Sequence, residues 1–233
     1  MTTQMVFKRH ELKYLMNSQQ YIALQKIMQE HMSIDEFGKH CINNVYYDTT
    51  DYLLIRRSIE KPCYKEKLRI RSYGENSENV FVEVKKKYDG IVYKRRISMP
   101  RKQAYDFLSN NAVLEEKSQI SKEIEYFVNH YQTLKPMIAI NYKREAYYGL
   151  QDSDFRMTFD TDICMKELKE QNSKCIVSND TVLLEIKTGM GIPMWLLDFF
   201  AQNQIYKTSF SKYGKAYEQF ILPKLKGELI YVA

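Results

Sequence analysis

The sequence predicts an α+β fold: a closed or nearly closed antiparallel β-barrel of about eight strands, with helices packed outside and at the ends. Three observations predict it. Short segments alternate charged and apolar residues with a period of two. Between them lie segments whose apolar residues repeat with helical spacing. One pairing, Glu-x-Lys, recurs in HELKYLM, FVEVKKK and LLEIKTG, which puts Glu11 with Lys13, Glu83 with Lys85, and Glu185 with Lys187 on one strand face each.

In chain order, HELKYLM is a strand with Leu12, Tyr14 and Met16 on its apolar side. NSQQYIALQKIMQEHM is a helix capped by Asn17 or Ser18, offering Ile22, Leu24, Ile27 and Met28. INNVYYDTTDYLL reads as a strand with a turn at Asp48 to Asp51, and CYKEKLRIRSYG as a longer strand ending at Gly74. ENVFVEVKKKYDGIVYKRRISMP is a hairpin turning at Asp89-Gly90, a dipeptide that tolerates the positive backbone angles of a tight turn. RKQAYDFL and ISKEIEYFVNHYQ are helices, the second striped by Ile120, Ile124, Phe127, Val128 and Tyr131. MIAINYKREAYYG, FRMTFDTDI and TVLLEIKTG resume the strands around a polar loop near Lys166 to Asn179. IPMWLLDFF and SKYGKAYEQFI end the chain as helices, Pro193 standing near the first turn. No Pro/Gly/Ser-rich linker interrupts this order, so residues 1–233 are expected to form one domain.

The charged faces carry the functional question. In CYKEKLRIRSY, Lys65, Lys67, Arg69 and Arg71 share a side opposite Leu68 and Ile70; Lys94 and Arg96 share a side of the returning hairpin strand. Between Lys61 and Lys102 there are thirteen basic residues against five acids, within a chain of net charge +6, so an anionic partner is indicated. A solvated sheet face would account for the pattern in any one strand. If the helices instead cover the apolar faces, the charged faces line a barrel interior that must be wet, acid-paired or filled by a polyanion. Planar Arg donors and compact Lys charges suit phosphate oxygens. Glu11, Glu83 and Glu185, with Asp160 or Asp162, add oxygen donors of the kind that hold Mg or Mn against phosphates, although a simple Glu–Lys ion pair explains each one singly.

Other chemistries lack support. Cys41, Cys63, Cys164 and Cys175 form no C-x-x-C pair and have no zinc-like His spacing, which fits reduced thiols in a cytoplasmic protein. No apolar stretch suggests a signal peptide or membrane span. There is no P-loop, and the four histidines have no mutual spacing for a nucleophile relay. Trp195, Leu196, Phe199 and Phe200 read as a packed helix face rather than a base-stacking site, and Tyr46, Tyr47, Tyr147 and Tyr148 as core or rim residues.

ELKY, VYYDT, KEKLRIRSYG, VEVKKKYDGIVYKRR, YKREAY, RMTFDTDI, LLEIKT and FSKYGKAY occur in the order found in the VTC domain, which this chain resembles over nearly its whole length. That domain is the polyphosphate polymerase branch of the triphosphate tunnel metalloenzymes, or CYTH-like proteins. The resemblance implies a tunnel that binds ATP and a divalent metal, Mn or Mg, and moves the γ-phosphate onto a growing polyphosphate chain. It implies phosphate-binding, catalytic roles for Lys13, Arg69, Arg71, Lys85, Arg144, Arg156 and Lys212. It further implies substrate contacts from Lys94 or Arg96 and from Ser211, and metal binding by Glu185; the charged faces themselves add Lys67 as a substrate contact, and Glu83 and Glu11 as further metal candidates. The family often has another Lys where Ser209 stands here, a place Lys207 could fill. The expected partners are ATP and polyphosphate, not nucleic acid, and coupling to membrane translocation would need a partner protein.

Two rivals use the same residues. A tunnel triphosphatase would pass the phosphoryl group to water, and a polyphosphate-binding module would do no chemistry. If the cations repel one another inside a tunnel, replacing Arg69 or Arg71 should leave or raise the stability of the unliganded chain.

Overall fold

The computed structural model describes residues 10–74, 77–89, 91–110, 114, 118–168 and 172–231. The chain packs as two compact units, each assembled from separated segments. The first comprises residues up to Cys41, Tyr142–Ile163 and Val177–Phe210; the second comprises Ile42–Asn141, Cys164–Ile176 and the residues from Ser211 on.

The first unit holds β1 (His10–Asn17), α1 (Ser18–Met28), β2 (Met32–Ile34) and, later in the chain, β10 (Thr181–Thr188), α5 (Met194–Gln202) and β11 (Lys207–Thr208). The second holds most of β3 (His40–Asp48), then α2 (Leu53–Ile59), β4 (Tyr64–Tyr73), β5 (Asn79–Tyr88), β6 (Ile91–Pro100), α3 (Arg101–Asn110), α4 (Gln119–Tyr131), β9 (Lys174–Cys175), α6 (Lys212–Ala216), a π-helical turn (Tyr217–Ile221) and α7 (Leu222–Tyr231). Two long strands, β7 (Lys135–Gly149) and β8 (Arg156–Glu167), contribute residues to both.

In the first unit β1 lies between β10 and β11, β10 pairs on with β8, and β2 pairs with β7. Antiparallel register puts Tyr14, Met16, Val182, Leu184, Ile186, Met157 and Phe159 on one face. α1 adds Leu24 and Met28 to this core, and α5 adds Leu196, Phe199 and Phe200. Asn17 caps α1 through a reciprocal exchange with Gln20, which satisfies two backbone donors that the helix itself cannot. The expected apolar face of α1 is narrower than its sequence suggests: Leu24 and Met28 are buried, while Ile22 and Ile27 are exposed. Trp195 packs against this core and stacks on His31, in keeping with a packing role.

In the second unit β3, β4, β5 and β6 are hydrogen-bonded in sequence order. Their apolar face presents Leu68, Ile70, Val80, Val82, Val84, Ile97 and Met99, which α3 and α4 cover with Ala104, Phe107, Leu108, Ile124, Phe127 and Val128. Burying this many branched side chains, at about 1.5–3 kcal/mol each, is what holds the helices on the sheet. The β5–β6 hairpin turns where expected, Asp89 taking the positive φ of 44° that a two-residue turn requires; Gly90 lies outside the described residues.

The sheet has eleven strands rather than about eight. The additional ones, β2, β9 and β11, are two or three residues long, too short to show an alternation in sequence. Among the described residues the hydrogen-bonded order runs from β11 to β6 with no pairing that joins these ends. α2 was also unforeseen: it follows the turn at Asp48, whose carboxylate accepts from the backbone N–H groups of Thr49, Leu54 and Ile55. No described helix is long and apolar enough to cross a membrane.

Candidate functional site

The face of the second unit opposite its core is built in rows by strand register. Lys65 pairs with Lys87, Lys67 with Lys85, Arg69 with Glu83 and Arg71 with Phe81 across β4 and β5; Glu83 pairs with Arg96 and Lys85 with Lys94 across β5 and β6. Lys94 and Arg96 therefore both belong to this face. The three strands bring eight basic side chains, Lys65, Lys67, Arg69, Arg71, Lys85, Lys87, Lys94 and Arg96, to one surface around a single carboxylate, Glu83. Crowding is felt: burial, then Lys87, Lys61 and Lys85, depress the Lys65 pKa.

Glu83 is 1 % exposed and holds the face together. Arg69 donates Nε and Nη2 to its Oε2 at 2.8 and 2.7 Å, Arg71 Nε lies 3.9 Å from the same oxygen, and Lys94 Nζ lies 2.7 Å from Oε1. Burial pushes the Glu83 carboxyl up, but Arg69, Arg71 and Lys94 outweigh it and bring the pKa down to about 2. Lys94 moves the opposite way: desolvation and the nearby Arg69 and Arg71 charges exceed the pull of Glu83 and lower its pKa to about 7. Arg71 also donates to Asn44, whose own amide is anchored on the Ile140 carbonyl, and Arg96 lies over the Phe81 ring.

The start of α6 belongs to the same unit. Lys67 Nζ donates to Ser211 Oγ at 2.9 Å, and that hydroxyl also accepts from Gly214 N as the helix cap. Lys212 is buried beside Tyr46 and helps Arg69 and Arg71 lower the tyrosine's pKa against the effect of burial. Tyr46, set aside as a core or rim residue in the sequence, accepts from Arg69 at 3.1 Å and stacks on Tyr213, whose hydroxyl donates to buried Asp48. Asp48 and Tyr213 thus fix both α2 and α6 behind the cations. Nothing in the local sequence marks them, since Asp48 lies 165 residues from Tyr213.

The first unit offers a different balance. Its charged face carries Glu11 and Lys13 on β1, Glu185 and Lys187 on β10, and Arg156, Thr158 and Asp160 on β8. Arg144 reaches Asp160 with two donors at 2.5 and 2.7 Å and Glu185 Oε2 at 3.2 Å. Burial works against the Arg144 charge, but Tyr142, Asp160 and Glu185 outweigh it and keep it protonated. Lys13 Nζ lies 3.3 Å from Glu185 and 3.4 Å from Glu11, and donates to the Phe210 carbonyl. Arg156 is exposed at the end of the row, opposite Lys187. Asp162 pairs with Lys143 instead. Lys207 pairs in register with Tyr14, on the apolar side of β1, so it does not supply the cation expected near Ser209.

Among the described residues no three His, Cys, Asp or Glu side chains are grouped to hold a metal. Mg and Mn, however, are commonly held by one or two carboxylates with phosphate oxygens completing the shell. Glu185 and Glu11 fit that limited role. Thr158, directly opposite Glu185 in register, supports the fit because its hydroxyl is buried and has no hydrogen-bond partner among the described residues. Glu83, the remaining candidate, is committed to three cations in the other unit.

In each unit an antiparallel sheet carries an apolar side under helices and a charged side around buried carboxylates. Solved structures share this fold. A provisionally assigned adenylate cyclase from Bacillus halodurans aligns over 92 % of this chain and 100 % of its own, with a TM-score of 0.56 and 13 % identity. A second, from Vibrio parahaemolyticus, covers 89 % and 96 % with a TM-score of 0.50 and 12 % identity. At such identities the likeness is one of fold. Residues 8–221 match the VTC domain, and the chain belongs to that family. It is 24 % identical over 194 residues to vacuolar transporter chaperone complex subunit 4 of Schizosaccharomyces pombe. The match covers 70 % of this chain and 27 % of that relative, so the chain spans about a quarter of the relative's length.

Proposed function

We propose that this chain is a polyphosphate polymerase. A terminal phosphate oxygen of polyphosphate attacks the γ-phosphorus of ATP, the bond from that phosphorus to the β,γ-bridging oxygen breaks, ADP leaves, and the chain gains one phosphate. The observation that carries the proposal is the row structure of β4–β6, in which eight basic side chains surround one buried carboxylate. Such a face is unfavourable to leave without anions, and phosphate oxygens match both Arg forks and Lys point charges.

Phosphoryl transfer depends chiefly on positioning and charge neutralisation. In the second unit Arg69, Arg71 and Arg96 would orient phosphate oxygens, while Lys67, Lys85, Lys94 and Lys212 would balance their charge. Ser211 would donate to a phosphate once Lys67 turns to the substrate. In the first unit Lys13, Arg144 and Arg156 would play corresponding parts. Glu185 and Glu11 would hold a divalent cation, which supplies Lewis-acid neutralisation of phosphate oxygens when bound. Membership in the VTC family and likeness to a transporter chaperone subunit favour polyphosphate as the acceptor, and a cytoplasmic location would give access to ATP. The proposal carries the VTC resemblance's tunnel as an expectation, and a membrane-protein partner remains the means by which product could be translocated.

The same residues would serve a metal-dependent triphosphatase if water replaced polyphosphate as acceptor. Incubation of the purified chain with ATP and Mn, followed by electrophoresis under polyphosphate staining, separates the two activities. A ladder of chains supports the polymerase. Orthophosphate without a ladder moves the assignment to the triphosphatase, and tight tripolyphosphate binding without turnover leaves a binding module.

A further inference from the structure

The Lys13 ammonium lies among carboxylate and carbonyl oxygens. It is surrounded by three oxygens from three segments of the first unit: Glu11 Oε1 at 3.4 Å, Glu185 Oε1 at 3.3 Å and the Phe210 carbonyl at 2.9 Å. Two carboxylates and a backbone carbonyl are hard oxygen donors of the kind that bind Mg or Mn. Register explains why they meet. β1 lies between β10 and β11, with Lys13 opposite Glu185 on one side and Thr208 on the other, and Phe210 follows two residues later.

The two oxygens of Glu185 serve different cations. Oε2 faces Arg144, a guanidinium held in place by the two hydrogen bonds it donates to Asp160; Oε1 faces Lys13, a compact charge on a flexible four-carbon stem. An incoming divalent cation must displace one of them, and the flexible stem of Lys13 makes its ammonium the more readily exchanged. We propose that the Lys13 ammonium is the resident counter-ion of the divalent-cation site, so that metal and Lys13 exclude each other between Glu11 and Glu185. This deepens the metal assignment made above and rests on it. Metal entry turns the Lys13 ammonium away from the two carboxylates toward a phosphate, and a phosphate that draws Lys13 away uncovers the carboxylates. Metal and triphosphate therefore bind with positive coupling, and the resting chain holds metal weakly.

Mn binding to the full chain, followed by the EPR signal of free aqueous Mn with no nucleotide present, tests this. Lys13→Met should bind Mn at least tenfold more tightly than the unaltered chain, and Glu11→Gln in the Lys13→Met background should reverse most of that gain. Equal or weaker Mn binding by Lys13→Met would overturn the proposal. A readout on the unaltered chain guards against misfolding of the variant: Mn should raise the acylation rate of Lys13, quantified by peptide mass spectrometry. An unchanged or slower rate would overturn the proposal. Neither arm depends on turnover, so the exchange can fail while a polyphosphate ladder still forms, and the polymerase can fail while the exchange holds.

Discussion

Arg69 places two nitrogens on a single oxygen of Glu83, at 2.8 and 2.7 Å, while Glu83 remains 1 % exposed. The pairing reverses the expectation that losing Arg69 would relieve repulsion. Arg69→Ala leaves a buried carboxylate short of its principal partner, with Arg71 and Lys94 still near. A destabilisation of about 2–4 kcal/mol is expected, read from the midpoint of urea unfolding. Unchanged stability would show that Glu83 does not depend on Arg69.

Glu83 and Lys94 make opposite contributions to the pH dependence. Glu83 has a folded pKa lowered to about 2, so its stabilisation is fully present above its usual carboxylate pKa and is lost as pH falls through about 2. Lys94 has a folded pKa lowered to about 7, so the cost of its charge is fully present below that pH and disappears as pH rises toward its usual value.

A polyanion changes this balance. At about pH 8 the unliganded Lys94 is mostly neutral, and bound phosphate should restore its proton, so tripolyphosphate binding should take up nearly one proton. Calorimetry in Tris and in HEPES, whose ionisation enthalpies differ, measures that uptake. Lys94→Met should abolish it; uptake that persists in Lys94→Met would assign the proton elsewhere.

Glu185→Gln removes one carboxylate from Lys13 and Arg144, but Asp160 keeps both of its bonds to Arg144. A loss of about 1 kcal/mol in stability is expected, together with loss of Mn-dependent turnover. A fully active Glu185→Gln variant would exclude Glu185 as a metal ligand.

Cys164 and Cys175 stand directly opposite each other on β8 and β9, with their sulfur atoms 3.0 Å apart. Opposed antiparallel residues have Cα separations within the range that a disulfide spans. Oxidised glutathione should convert them to an internal disulfide, releasing two equivalents of reduced glutathione, and peptide mapping should show a linked pair lighter by two hydrogens. Glutathione adducts without a link would contradict this. The sequence suggested reduced thiols with no pairing, because an eleven-residue separation outside any C-x-x-C motif carries no register information.

That limit recurs across the molecule. Strand faces were legible because a period of two survives in β1, β4, β5 and β6, and Asp89-Gly90 pins the hairpin register. Partners across strands were not: Glu83 was read beside Lys85 along its own strand, whereas its bonds go sideways to Arg69 and Lys94. α2 was missed because the seven residues LLIRRSI are too few to show a helical repeat, and the carboxylate that accepts from its first-turn N–H groups, Asp48, lies outside the segment. The face of Lys207 depended on a two-residue strand with no pattern of its own.

The most direct test of the central claim follows the γ-phosphate itself. The purified chain is given γ-labelled ATP, Mn and a short polyphosphate primer, and the label is traced with ADP measured in parallel. Label should enter acid-insoluble polyphosphate, one phosphate for each ADP formed. Label found only in orthophosphate, with primer length unchanged, would contradict the polymerase.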